Sequence, residues 1–430
     1  MNTPIADFIK EYAQKNAVRA HMPGHKGVGD IERYDITEIA GADSLYEASG
    51  IIAKSEKNAS DIFGCNTFYS TEGSSHCIRA MLCLAIMYAG RPITVLAGRN
   101  AHKSFVSACA FLGFQVEVDW IYGGSSYLTC DISAESLRVR FERGRIPHAV
   151  YITSPDYLGN MQDIAAISAV CREYGVLLLV DNAHGAYLKF LGRHPIDLGA
   201  DIVCDSAHKT LPVLTGGAYL HVRDAELAKK AKTALSFFGS TSPSYLILES
   251  LDRANAYLDG YADRLKNFLP AVEQLKCSVG LDTCGDEPMK ITFVTKPYGY
   301  TGYEVAEYLE NRGVFCEFAD PDHLVLMLTP ENAGDIGRIR EALISLERKT
   351  PLTSLPPVLS VAERAMGLQA AMLSFSETVA VGECEGRIAA AVTVGCPPAV
   401  PIVVSGERIN SSAVRAFEYY GIDKIEVVKE

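Results

Sequence analysis

The 430 residues contain no apolar run near the roughly 20 that a membrane-spanning helix requires. The first residues, Met1-Asn2-Thr3-Pro4-Ile5-Ala6-Asp7, have neither a basic start nor an apolar core. No signal peptide is therefore expected, and the expected location is cytoplasmic. Twelve cysteines are present, but none forms a C-x-x-C pair. Scattered among apolar neighbours, they read as buried thiols of a reducing compartment. Basic residues are in deficit: 40 Lys and Arg face 52 Asp and Glu, for a formal net charge of −12. That balance argues against nucleic acid, which favours basic patches. It is compatible with a cationic small molecule. No metal site is expected. His21 and His25 have a suggestive spacing, but Pro23-Gly24 between them prevents the helical i,i+4 geometry. There is no internal repeat and no low-complexity tract.

The chain is long enough for two or three domains and a large core. Four pieces carry chemistry. The first is Ser206-Ala207-His208-Lys209-Thr210-Leu211-Pro212, after the strand-like Ile202-Val203-Cys204. A lysine just past a buried strand suits a pyridoxal-phosphate Schiff base, because burial lowers an amine's pKa. Read alone, Lys209 fits a solvated lysine better, as most lysines near strand ends are. The second piece is Gly175-Val176-Leu177-Leu178-Leu179-Val180-Asp181, a continuous apolar strand ending in a carboxylate. Ligands of open α/β sheets bind outside the carboxyl ends of strands. Asp181 can there pair with a pyridinium nitrogen, or simply cap a helix. The third is Ser70-Thr71-Glu72-Gly73-Ser74-Ser75 before a helical pattern through Ile78, Met81, Leu82 and Ala85. Such a turn offers amides, hydroxyls and the positive end of a helix dipole to a phosphate, although ordinary capped helices look the same. The fourth is Arg99-Asn100-Ala101-His102-Lys103-Ser104 after Pro92 to Ala97. His102 can stack on a flat cofactor, or be a plain surface or core histidine.

The order of these pieces resembles that of the fold-type I pyridoxal-phosphate (PLP) enzymes, and the finer match is to the bacterial Orn/Lys/Arg decarboxylase family. His21-Met22-Pro23-Gly24-His25-Lys26-Gly27 resembles that family's N-terminal signature. Asp35-Ile36-Thr37-Glu38-Ile39 and Asp43-Ser44-Leu45 follow as its next segment does. Ser154-Pro155-Asp156-Tyr157-Leu158-Gly159, Asp181-Asn182-Ala183-His184-Gly185, Ser206-Ala207-His208-Lys209 and Ser240-Thr241-Ser242-Pro243-Ser244-Tyr245 also match. The resemblance covers nearly the whole chain and is most similar to the short, wingless branch of the family.

It implies an α/β fold with a large, mainly parallel PLP-binding domain, a smaller α+β domain and a C-terminal decarboxylase-type segment. The expected division is an arm over 1–55, the large domain over 56–255, the small domain over 256–350 and the C-terminal segment over 351–430. Expected strands of the large domain are Ile93–Ala97, Gln115–Trp120, His148–Thr153, Val176–Val180, Ile202–Cys204 and Gly217–Val222, and its helices include Ser75–Tyr88, Ile164–Tyr174 and Ala225–Leu235. In the small domain Ile291–Val294, Phe315–Ala319 and His323–Leu328 read as strands, and Tyr303–Arg312 and Ala333–Glu347 as helices.

The activity implied by the resemblance is PLP-dependent decarboxylation of a basic amino acid, arginine first, then lysine and ornithine, in polyamine metabolism. Lys209 would bind the cofactor covalently, and Asp181 would hold its ring nitrogen protonated. Gly73, Ser74 and Ser75 would bind the phosphate with Ser206 and His208. His102 would stack on the ring, and His184 would lie at its phenolic edge and act in proton transfer. Thr241 or Ser242 would reach the phosphate of a neighbouring subunit, so the expected partner is a second copy, in a homodimer or larger assembly. Several residues depart from the family's pattern. Glu72 stands where a neutral residue is usual, Asn182 where glutamate is frequent and Asp156 where threonine is frequent. Cys396-Pro397-Pro398-Ala399 replaces Tyr-Pro-Pro-Gly, and Ser405-Gly406-Glu407 replaces Pro-Gly-Glu. Because one fold hosts several reactions, an aminotransferase, a lyase or a non-catalytic cofactor-binding paralogue stand as alternatives.

Overall fold

The structure is a computed structural model that describes residues 1–15, 17–391 and 398–429. Cys396 and Pro397 of the altered C-terminal motif lie outside the described residues. A main sheet is built from β1 (Asn66–Ser70), β2 (Ile93–Gly98), β3 (Val116–Ile121), β4 (Ala149–Thr153), β5 (Leu177–Asp181), β6 (Ile202–Asp205) and β7 (Ala218–Val222). Smaller sheets use β8 (Asp282–Cys284), β9 (Lys290–Val294), β10 (Phe318–Ala319), β11 (His323–Met327), β12 (Ser376–Ala380) and β13 (Lys424–Val428). The sheet is mixed and mostly parallel, as expected of fold-type I.

The chain divides into two compact units. The first comprises residues 1–93, 144–151 and 164–263. Its part of the main sheet runs β1-β7-β6-β5-β4. β5 and β6 are parallel, with Asp181 opposite Cys204, whereas β7 is antiparallel to both β6 and β1. Every residue of β5, β6 and β7 is buried. This is why these strands read as continuous apolar runs and not as alternating ones. Two buried carboxylates tie the N-terminal region to this unit. Asp252 accepts the amides of Ile5 and Ala6 at 2.9 and 3.0 Å, satisfying the start of the helix Pro4–Gln14. Asp43 accepts the amides of Gly50, Ile52 and Ala53 at 2.7, 3.1 and 3.3 Å, and so caps the helix Ile51–Phe63. That helix runs without a break through residue 55.

The second unit comprises residues 94–143, 152–163 and 264–430. It carries β2 and β3 of the main sheet, a four-stranded antiparallel sheet in the order β10-β11-β9-β8, and the hairpin-like pair β12-β13. A buried ion pair of this unit joins Arg99 to Glu407 at 3.0 Å. The same guanidinium donates to the carbonyls of Pro401 and Ile402 at 2.8 and 2.9 Å. Glu407 also accepts the amide of Val404 at 2.7 Å and the hydroxyl of Tyr122 at 3.2 Å. The altered Ser405-Gly406-Glu407 segment therefore keeps a carboxylate with every oxygen engaged.

Three expectations are corrected. β1 was not anticipated, because Asn66, Thr67 and Ser70 dilute its apolar signal. Thr67 and Ser70 are nonetheless buried, paired with His221 at 2.9 Å and His76 at 2.8 Å. The expected helix Ala225–Leu235 is two short helices, Ala225–Ala228 and Ala231–Ser236, interrupted at Lys229-Lys230. The expected strand Phe315–Ala319 has only Phe318 and Ala319 in the ladder, since β11 turns back at Asp320 to Asp322.

Breaking a buried ion pair from one side leaves an unpaired buried charge. Glu407→Ala is expected to lower unfolding stability by about 3 kcal/mol. Chemical denaturation of the variant beside wild type checks this, and a loss below about 0.5 kcal/mol would contradict it.

Candidate active site

β5 and β6 deliver two side chains to one place in the first unit. Asp181 is the last residue of β5, and Lys209 lies in the single helical turn Ala207–Thr210 directly after β6. Lys209 Nζ is 2.8 Å from Nε2 of His184, which stands on the turn after β5. Asp181 is almost wholly buried. Its Oδ2 accepts the Tyr151 hydroxyl at 3.1 Å, and its Oδ1 accepts the Ala183 amide at 3.2 Å and the Cys204 thiol at 3.6 Å. Burial pushes its pKa up, and the charge of Lys209 with these hydrogen bonds only partly pulls it back.

The Gly73-Ser74-Ser75 turn opens the helix Gly73–Ala89 after β1. Gly73 has φ +72, and a Cβ placed on it would meet nothing within 4 Å. The space in front of this turn is therefore open. Ser206 Oγ donates to Ser74 Oγ at 2.8 Å, so the loops after β1 and β6 meet. His208 is anchored beside them, with Nδ1 3.0 Å from the Gly217 carbonyl. Glu72 does not burden the turn as its charge suggested. Its Oε1 accepts the amide of Ser240 at 2.6 Å, which draws in the loop carrying Thr241 and Ser242. Thr241 and Ser242 themselves are exposed.

Lys209, His184 and Asp181, and Ser74 with Ser206, are thus brought together within the first unit. His102 belongs to the second unit. It caps the helix Lys103–Leu112, with Nδ1 accepting the Ser104 amide at 3.1 Å. In the same unit Asp156 accepts the amides of Leu158 and Asn160 at 3.0 and 2.9 Å, so its carboxylate shapes a turn. The histidines of the N-terminal signature point to separate partners, His21 to the Tyr12 hydroxyl at 2.7 Å and His25 to Asp35 at 3.2 Å. Tyr151 and Cys204, which contact Asp181, were missed from sequence. The only available signal was their place on adjoining strands.

The model of the Orn/Lys/Arg decarboxylase major domain matches residues 3–284, and that of the family's C-terminal domain matches residues 356–424. The chain belongs to the Orn/Lys/Arg decarboxylase family. It is a pyridoxal-phosphate-dependent amino-acid decarboxylase. The uncharacterized protein YaaO of Bacillus subtilis is 30% identical, over 96% of this chain and 93% of its own. An arginine decarboxylase of Bacillus subtilis is 28% identical, over 96% and 92%. The crystal structure of the lysine decarboxylase LdcF of Francisella novicida superposes with a TM-score of 0.81 at 16% identity, over 99% of this chain and 81% of that one.

The residues of the decarboxylase fit the cofactor. A buried carboxylate whose pKa is raised lacks a full countercharge, and a protonated ring nitrogen would supply one. The open space at Gly73, flanked by the hydroxyls of Ser74 and Ser206, suits a phosphate at a helix N-terminus. Lys209 offers an amine within reach of an imidazole.

The raised pKa of Asp181 has a sign that can be tested. Its charged form is disfavoured by folding, so above the ordinary carboxylate range the cofactor-free protein is destabilised by this charge. Asp181→Asn without cofactor is expected to melt no lower than wild type at pH 7. Its affinity for pyridoxal phosphate is expected to fall at least about tenfold, or about 1.4 kcal/mol. Calorimetry and a cofactor titration check the two halves. A less stable variant with unchanged affinity would contradict the reading.

Proposed function

We propose that this decarboxylase acts on arginine in preference to lysine and ornithine, releasing CO2 and the corresponding amine for polyamine metabolism. The observation that carries the choice is the near full-length similarity to Bacillus proteins named arginine decarboxylase. Pyridoxal phosphate, when bound, supplies the electron sink for the pair released from the Cα–carboxylate bond.

The roles assigned to the chain follow from position. Lys209 would hold the cofactor through Nζ. Asp181 would face the ring nitrogen from the end of β5, and the Tyr151 hydroxyl would fix its orientation. His184, 2.8 Å from Lys209 Nζ, would take or return the amine's proton. Gly73, Ser74, Ser75, Ser206 and His208 would receive the phosphate through hydroxyls, ring N–H and helix-start amides. His102 would stack on the ring face. Thr241 and Ser242, exposed on a loop held by Glu72, would serve the phosphate of a second copy in a homodimer. Substrate orientation decides which bond breaks, so residues that hold the substrate carboxylate out of the ring plane set the reaction. The proposed division of the chain is 1–55, 56–255, 256–350 and 351–430, the last of these supported by a separate family model over residues 356–424. A cytoplasmic setting is supported by the eleven described cysteines, all unpaired. Among the described residues no helix is long and apolar enough to cross a membrane.

Product analysis tests the reading. Purified holoenzyme given equal arginine, lysine and ornithine is expected to release mainly the arginine-derived amine, and Lys209→Ala is expected to lower the rate by at least about 10³-fold. A dominant lysine-derived amine would move the substrate assignment. Keto acid in place of amine would contradict decarboxylation.

A further inference from the structure

Beneath the cofactor end of β6 lies a charged cluster that the reaction does not use. Asp205, the last residue of β6, is fully buried. Its Oδ2 accepts Nε2–H from both His194 and His221, each at 3.0 Å. Both histidines are also fully buried. Its Oδ1 accepts Nδ2–H of Asn182 at 2.7 Å. His194 Nδ1 accepts the amide of Ile196 at 3.3 Å, so the single ring proton sits on Nε2 and this ring is a neutral donor. His221 Nδ1 lies 2.9 Å from Thr67 Oγ1 and 3.7 Å from Cys65 Sγ, and the same hydroxyl lies 3.4 Å from the Cys65 carbonyl. His221 Nε2 is a donor to Asp205, while Nδ1 can donate to or accept from the Thr67 hydroxyl. Burial pulls the pKa of His221 down, but the Asp205 charge outweighs this and holds it at about 9. Burial pulls that of His194 down, in keeping with a neutral ring.

The cluster has the composition of a metal site, with ligand atoms all within 4.8 Å of one another. A ligating histidine, however, offers a ring lone pair to the metal and donates from its other nitrogen. His194 does the reverse. The arrangement is a buried carboxylate held by two imidazole N–H donors and one side-chain amide.

Its placement gives it a use. Asp181 and Cys204 are the last opposed residues of the parallel β5–β6 pair, and the Asn182 amide closes it on the Cys204 carbonyl at 3.0 Å. One residue further along, the Asn182–Asp205 side-chain bond bridges the two chains as they leave the sheet. Asn182 adjoins Asp181, and Asp205 lies four residues before Lys209. We propose that Asp205, held by His194 and His221, is a positioning residue that sets Asp181 against Lys209 for cofactor binding. Asn182 is the arm through which it acts. The proposal rests on reading Asp181 and Lys209 as the cofactor's two anchors. It accounts for Asn182, which departs from the family's frequent glutamate: the amide offers Asp205 an N–H, whereas a carboxylate would oppose it.

Asp205→Asn, Asn182→Ala and the double variant, prepared as holoenzyme and stripped for titration, provide the test. Asp205→Asn is expected to weaken pyridoxal-phosphate affinity about tenfold or more and to lower kcat, with substrate KM within about twofold. Asn182→Ala is expected to act in the same direction by less. The double variant is expected to be no worse than Asp205→Asn, because both break one bridge. If Asp205→Asn does not fold, Asn182→Ala and His194→Asn carry the test through the same affinity. Variants that lose only thermal stability, with cofactor affinity and kcat unchanged, would overturn the proposal. So would additive effects, or a stoichiometric metal in the wild-type protein. Cofactor found attached elsewhere than Lys209 would instead overturn the anchor assignment, whatever these variants do.

Discussion

Asp181 ends a strand whose every side chain is buried, and its carboxylate accepts from a hydroxyl, an amide and a thiol. Such a group is held at a cost that the cofactor-free protein does not recover. Much of the rest follows from this arrangement. The apolar run of β5 places the charge at depth, the parallel partner β6 brings Lys209 to the same end, and the turn after β5 sets His184 against the lysine. A cationic ring nitrogen relieves what burial imposes, so the fold is prepared for a ligand at some expense of its own stability. Active-site preorganisation takes this form in general: strain in the empty state becomes affinity in the filled one.

Residues that depart from the family's pattern are absorbed locally. Glu72 finds the amide of Ser240, Asp156 finds two amides of its own turn, and Asn182 finds Asp205. The two carboxylates are satisfied by backbone amides, whereas Asn182 is satisfied through its Nδ2 and its buried Oδ1 has no hydrogen-bond partner. The buried pairs obey the same accounting. The carboxylates of Glu407, paired with Arg99, and of Asp205, paired with His221, each accept further donors on their remaining oxygen.

The sequence was most legible where periodicity and chemistry agree. The apolar run ending in Asp181, the strand before Lys209 and the glycine-serine turn before a helix are each visible as local patterns. Their structural neighbours are non-local and were not visible. Tyr151 reaches Asp181 across thirty positions of sequence, and no spacing rule links them. His194 and His221 converge on Asp205 only because β7 turns back antiparallel beside β6. β1 was missed because its polar residues are paid for by partners far along the chain. The assigned role of His102 came from its place in a motif; its position as a helix cap is equally a local property and does not itself speak of a cofactor.

The most direct test of the account is where the cofactor is attached. Holoenzyme reduced with borohydride, digested and analysed by mass spectrometry would carry the pyridoxyl group on one peptide. The account predicts that it is the peptide containing Lys209, with stoichiometry near one per chain. A pyridoxyl group on another lysine, or none in protein that decarboxylates, would contradict it.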